Sequence, residues 1–142
     1  MAAETIHDFR DLRVWQDAVT LVERIYGLSK CFPKNELYGL QSQIQRAAVS
    51  IPSNIAEGHE RGHLGEYIQF LHIARGSLAE FETQVIIANR LKYVDQPTLE
   101  QFVADITTPR RRLNALISAL ERRLPPGRSE KSRTQNPKPR TP

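Results

Sequence analysis

Cysteine, tryptophan and methionine each occur once in 142 residues, and no apolar run approaches the roughly 18 residues that a membrane span requires. A lone cysteine, Cys31, excludes an intrachain disulfide and suits a reducing compartment. The opening stretch, MAAETIHDFRDLRVWQ, lacks the basic start and apolar block of a secretory signal, so cytoplasm is the expected location. Neither a phosphate-cradling G-x-x-x-x-G-K-[ST] loop nor a G-x-G-x-x-G, G-x-S-x-G or C-x-x-C string occurs. The usual carriers of nucleotide binding, acyl transfer and thiol chemistry are therefore missing. No catalytic residue and no cofactor is expected.

What remains is an ordinary globular composition, 39% hydrophobic and 25% charged, in a chain long enough for one core. The net charge of +4 is unevenly placed. Residues 1–108 carry 10 Lys and Arg against 14 Asp and Glu, whereas residues 109–142 carry 10 against 2. A mildly acidic body with a strongly basic end is compatible with a polyanionic partner. It is equally what a solvated helix face followed by a charged tail would give.

Three regions follow from the pattern: a short N-terminus (1–8), a folded body (9–124) and a basic tail (125–142) expected to be disordered. The tail, PPGRSEKSRTQNPKPRTP, has almost no apolar surface to offset its ordering entropy. The body shows helical periodicity throughout. A first helix from about Asp11, its expected N-cap, to Lys30 carries Leu12, Trp15, Val19, Val22, Tyr26 and Ser29, widened by Ala18 and Ile25. A second begins near Asn35, a good N-cap, with Leu37, Leu40, Ile44, Ala47 or Ala48, Ile51 and Ile55 as its stripe. A third, Leu64 to Lys92, carries Tyr67, Phe70, Ala74, Leu78, Phe81, Val85 and Ala88; Gly76 within it suggests close backbone approach. A fourth starts near Pro97-Thr98 and carries Leu99, Phe102, Val103, Ile106, Leu113, Leu116, Ile117, Leu120 and Leu124. The expected fold is all-α, an antiparallel up-down-up-down four-helix bundle.

Two prolines fall inside these stripes. Ile44, Ala48, Ile51 and Ile55 stay in phase across Pro52, so the second helix should continue through it with a kink until Gly58 and Gly62 end it. Ile106 and Leu113 likewise stay in phase across Pro109, where Thr108-Pro109 could also cap a fresh helix. A fourth helix kinked or broken at Pro109 is expected.

A second stripe crosses Pro52: Gln43, Arg46, Ser50, Ser53, Asn54 and Glu57, with Arg61 beyond. It is mostly small and uncharged where a solvent-facing helix usually carries Lys and Glu. These six positions are the candidate subunit interface, with a merely exposed face and a ligand groove as the alternatives. His59-Glu60-Arg61-Gly62-His63 matches the H-E-x-x-H string of zinc hydrolases, a remote alternative. That chemistry needs both imidazoles on one helix face, and here Gly62 lies inside the string. No metal site is expected. The candidate nucleic-acid-binding residues are Arg110, Arg111, Arg112, Arg122, Arg123, Arg128, Lys131 and Arg133.

Three segments, FRDLRVWQDAV, FPKNELYGLQSQIQRAAVSIPSNIAEG and YIQFLHIARGSLAEFETQVIIANRL, resemble the 23S rRNA intervening-sequence proteins over about residues 9–94. The family pattern falls on Trp15, Phe32, Pro33, Glu36, Gly39, Leu40, Gln43, Arg46, Ala47, Ser50, Asn54, Ile55, Ala56, Glu57, Gly58, Gly76, Ser77 and Glu80. The resemblance implies an antiparallel four-helix bundle that assembles as a homo-oligomer, a ring of five, and carries no catalytic residues across. It further suggests kinship with the accessory variability determinants of diversity-generating retroelements, which bind nucleic acid and a reverse transcriptase. The expected function is a non-enzymatic, nucleic-acid-associated oligomer; the alternative is a scaffold recruiting a protein partner such as a reverse transcriptase.

Overall fold

The computed structural model describes residues 8–126, and residues 1–7 and 127–142, with most of the expected short N-terminus and basic tail, lie outside them. The described residues form four helices: α1 Arg13–Ser29, α2 Leu40–Glu60, α3 Leu64–Arg90 and α4 Gln96–Glu121. Short 3-10 turns at Phe9–Asp11 and Lys34–Glu36 precede α1 and α2. No strand occurs among the described residues, so the fold is all-α. Cross-helix contacts pair Asp17 with Arg112 and Arg24 with Asp105, advancing along α1 while receding along α4. The same rule holds between α3 and α4, where Arg75 meets Asn114 and Glu82 meets Arg110. Helices in contact through these pairs thus run in opposite senses. None of the helices described is long and apolar enough to cross a membrane.

The helix starts differ from the sequence expectation, each for a local reason. Asp8, rather than Asp11, acts first: its carboxylate accepts from the Arg10 backbone N–H at 2.8 Å and from the Arg10 guanidinium. These bonds hold the Asp8 carboxyl down at about 2 and wind Phe9–Asp11 into a 3-10 turn, so α1 starts after Leu12 without a side-chain cap. The second helix starts at Leu40, not near Asn35. Glu36 closes a separate 3-10 turn, set off from α2 by the non-helical backbone of Gly39, and its carboxylate accepts from the Tyr93 hydroxyl at 3.0 Å and from the Leu40 N–H at 3.4 Å. At α4 the cap is Asp95, whose carboxylate accepts from the Thr98 N–H at 2.9 Å; that bonding from Thr98 lowers the carboxyl's pKa.

Both internal prolines are accommodated. α2 runs unbroken through Pro52 and α4 through Pro109, so the break considered at Thr108-Pro109 is absent. Both proline rings are buried, which lets apolar contact offset the hydrogen bond each one removes. Gly62, at φ +74, ends the second helix's exit turn, while Gly58 lies inside α2.

The core contains Ile44, Ala48, Ile51 and Ile55 of α2, Leu71, Ala74, Leu78, Phe81 and Val85 of α3, and Phe102, Ile106, Leu113 and Ile117 of α4. On α1 the buried face is turned from the expected stripe: Val14 and Leu21 are buried with Ala18 and Ile25, whereas Tyr26 is 44% exposed. Trp15 and Val22 are only partly buried. On α3, Ile68 and Leu71 are buried, with Tyr67 and Phe70 half-buried.

Tyr67 lies against the α2–α3 turn, its ring edge-on to His59 with centroids 5.6 Å apart. Burial pushes its phenol from 10.0 up to about 12. The folded state therefore holds this proton more tightly than the unfolded chain. Its contribution is fully present below pH 10 and is lost as the pH rises through about 12. Urea unfolding in that window should show wild type losing stability faster than Tyr67→Phe. Equal alkaline slopes for the two proteins would contradict the assignment.

Candidate nucleic-acid interface

Three consecutive arginines on one helix leave it in three directions, because each residue advances the helix by about 100°. Arg110 turns towards α3, where its Nη2 donates to Glu82 Oε1 at 2.7 Å. Arg112 turns towards α1, where its Nη1 donates to Asp17 Oδ2 at 2.7 Å. Arg111 lies between them, exposed and without a carboxylate partner among the described residues. The candidate set thus divides. Arg110 and Arg112 are largely neutralised while tying α4 to its two neighbours; Arg111 keeps its charge at the surface.

Arg122 and Arg123 follow the end of α4 and are exposed, again without a carboxylate partner among the described residues. Their position also complements the negative end of the helix dipole. Arg111 and Arg122 share one face of α4, three turns or about 16 Å apart, with the small residues Ala115 and Ser118 between them. Arg128, Lys131 and Arg133 lie outside the described residues.

Between α1 and α4, a groove of about 340 Å³ is lined by Asp17, Thr20, Arg24, Asp105, Thr108 and Arg112 among others. The Asp17–Arg112 and Arg24–Asp105 ion pairs bracket it, and Arg24 also lies over the Phe102 ring at 4.4 Å. Its charges are thus already spent on joining the two helices. The sequence could not reveal these pairs, because their partners are separated by most of the chain.

The uncharged stripe of α2 also divides. Ser50 and Asn54 are drawn into the chain's own α2–α3 seam: Ser50 Oγ lies 2.8 Å from Ser77 Oγ, and Asn54 Nδ2 donates to Ser50 O at 2.7 Å and to its Oγ at 2.9 Å. Gln43, Arg46, Ser53 and Glu57 are exposed, with Glu57 paired to Arg61. On α3, the face of Ser77 also holds Gln84 and the exposed Ile73 and Ile87. Gln84 is only 7% exposed, and its Oε1 is buried without a hydrogen-bond partner.

The H-E-x-x-H string does not form one helix face. His59 is in the last turn of α2, His63 precedes α3, and Gly62 reverses the backbone between them. No group of three or more His, Cys, Asp or Glu arranged to hold a metal occurs among the described residues.

A family model described as "23S rRNA-intervening sequence protein" matches residues 10–115. No curated protein matches the chain. Among solved structures, the chain is similar to a protein of unknown function from the S23 ribosomal protein family of Bacteroides thetaiotaomicron VPI-5482. The two share 26% identity and a TM-score of 0.66, over 73% of this chain and 97% of that one.

Proposed function

The chain belongs to the 23S rRNA-intervening sequence protein family, and from that premise we propose that it is a non-enzymatic homo-oligomer that binds the backbone of RNA or DNA. The carrying observation is the set of exposed arginines on and just beyond α4, Arg111, Arg122 and Arg123, whose charge no described carboxylate offsets. The basic residues of the tail extend that charge, since residues 109–142 hold 10 Lys and Arg against 2 acids. Repetition around a ring of five would multiply this patch into a strong attractive field. Affinity would then depend little on sequence and steeply on salt. A fluorescence titration at low salt should show binding to duplex DNA or structured RNA; no affinity for either would overturn the reading.

Self-association is assigned to the outer surface of α2 and α3. Gln43, Arg46, Ser53 and Glu57 are exposed there beside Ile73 and Ile87, and the Ser50–Ser77 contact sets Gln43 level with Gln84, two turns away on each helix. A neighbouring copy would cover these exposed apolar residues. Light scattering should give a mass several times 16.2 kDa, and a clean monomer would refute this interface.

A second reading, a scaffold that recruits a protein such as a reverse transcriptase, is favoured by Tyr38. It is 92% exposed beside the half-exposed Leu37, on a turn pinned through Glu36 to Tyr93. An aromatic presented on a held turn suits a protein contact, because little ordering entropy is lost on binding. The kinship with retroelement accessory proteins that the sequence resemblance suggests belongs to this reading. Recovery of one specific protein partner after nuclease treatment would support it. The cytoplasm is the proposed compartment, given the exposed, unpaired Cys31.

A further inference from the structure

Most arginines that this bundle holds in place are neutralised where they are held. Arg10 lies on Asp8, Arg24 on Asp105, Arg61 on Glu57, Arg110 on Glu82 and Arg112 on Asp17. Arg75 of α3 is held by groups that carry no negative charge. Its Nη1 donates to Asn114 Oδ1 at 3.2 Å across the α3–α4 boundary, and its Nη2 lies 2.8 Å from His72 Nδ1. A guanidinium nitrogen only donates, so His72 Nδ1 is the acceptor in this contact. The guanidinium is thereby oriented, retains its full charge, and keeps further N–H donors unused. Arg75, Asn114 and His72 are all exposed.

Position matters as much as charge. Asn114 stands one turn from Arg111 and one turn from Ser118, which is itself one turn from Arg122. The Arg75 guanidinium therefore sits beside the stretch of α4 that separates its two outward arginines. Those are about 16 Å apart, and a nucleic-acid strand places a phosphate every 3.4 Å or so along its axis. Arg111 and Arg122 alone would leave intervening phosphates uncontacted. Arg75 supplies a cation from the neighbouring helix within that interval. The nearest acid in α4, Glu121, lies beyond Ser118 and has contacts of its own.

We propose that Arg75 is a phosphate-contacting residue of the nucleic-acid interface, held for that task by Asn114 and His72 as positioning residues. The inference rests on the backbone-binding reading given above. It extends the interface from one helix to two and places in it a residue outside the basic C-terminal segment.

The test is a salt series of anisotropy titrations with the full chain and a short fluorescent duplex DNA of arbitrary sequence, with a duplex RNA in parallel. Losing one phosphate contact makes the negative slope of log K against log salt shallower by about 0.9 on duplex DNA for each subunit engaged, equivalent to about eight-fold in affinity near 0.1 M salt per contact. Arg75→Gln should show that loss, and Asn114→Ala should weaken binding with no change in net charge. Lys30→Gln, the same charge change at the α1 C-terminus, should bind as wild type does. Circular dichroism melts should show all three variants folded. Wild-type affinity and slope in Arg75→Gln, or an equal loss in Lys30→Gln, would overturn the inference while leaving the binding reading intact. Failure of the wild type to bind either duplex would remove the reading itself and the inference with it.

Discussion

Replacing Phe81 by alanine is expected to lower the unfolding free energy by about 3–5 kcal/mol. Phe81 is fully buried in α3, and its ring meets that of Phe102 in α4 edge-on, with centroids 6.0 Å apart. Truncation loses the transfer free energy of the ring, leaves a cavity, and removes an aromatic pair worth about 0.5–1.5 kcal/mol beyond its area. Against a domain stability of about 5–15 kcal/mol the loss is large. Urea unfolding at fixed protein concentration should show a lower midpoint with an unchanged slope. A loss below about 1 kcal/mol would mean that the α3–α4 seam is not packed as described.

The second large effect is a change of sign between two identical substitutions. Gly58→Ala and Gly76→Ala both add one methyl group to a helix interior, where alanine is intrinsically favoured by about 1 kcal/mol. At Gly58 the new Cβ would sit 2.6 Å from Phe70 Cβ, 3.2 Å from the Tyr67 ring and 3.3 Å from its carbonyl oxygen. Neither a side-chain root nor a backbone oxygen yields easily, so α2 and α3 must separate. Overpacking of this kind costs about 1–3 kcal/mol and should exceed the helical gain. At Gly76 nothing lies within 4 Å of the added atom, so the same change should stabilise the isolated fold by about 1 kcal/mol. Thermal melts of the two variants should move in opposite directions. Two stabilised variants would contradict the close approach at Gly58.

That contrast marks where sequence reasoning stops. Four helices are legible because apolar residues at steps of three and four have few other solutions. Passage through Pro52 is legible because Ile44 and Ile55 keep phase across it, whereas at Pro109 the same phase between Ile106 and Leu113 leaves a break open, since Thr108-Pro109 also fits a fresh helix start. The neighbours Ala74 and Ala79 point to close approach at Gly76, yet it occurs at Gly58. A glycine's sequence neighbours say nothing about the residue across the seam. The α1 stripe differs by a fraction of a turn because Val14 and Leu21 compete with Val19 and Val22 on equally apolar grounds. The start of α2 differs because the non-helical backbone of Gly39 separates it from the turn that Glu36 closes, a turn held by Tyr93, 57 positions away.

The candidate interface is legible only as a composition. A run of three arginines announces positive charge, but which of them remains charged at the surface depends on Glu82 and Asp17, on other helices. Arg75 carries no signal at all: it is a single basic residue on the polar side of α3, distinguished only by being held through an amide and an imidazole and not by a carboxylate. Ser50 and Asn54 stand out as small and uncharged, and the structure accounts for them within the chain, through Ser77. Gln43, Arg46, Ser53 and Glu57 keep their place in the proposed contact with another copy.

The central claim is that unneutralised arginines on the outer face of α4 contact phosphate. Its most direct test is the slope of log K against log salt for duplex binding by wild type and by Arg111→Gln/Arg122→Gln. Both residues are exposed and unpaired among the described residues, so the fold should be unaffected by their loss. A steep negative slope is predicted for wild type, reduced in the double variant by about 1.8 on duplex DNA for each subunit engaged. Binding that ignores salt, or a double variant with the wild-type slope, would contradict the account.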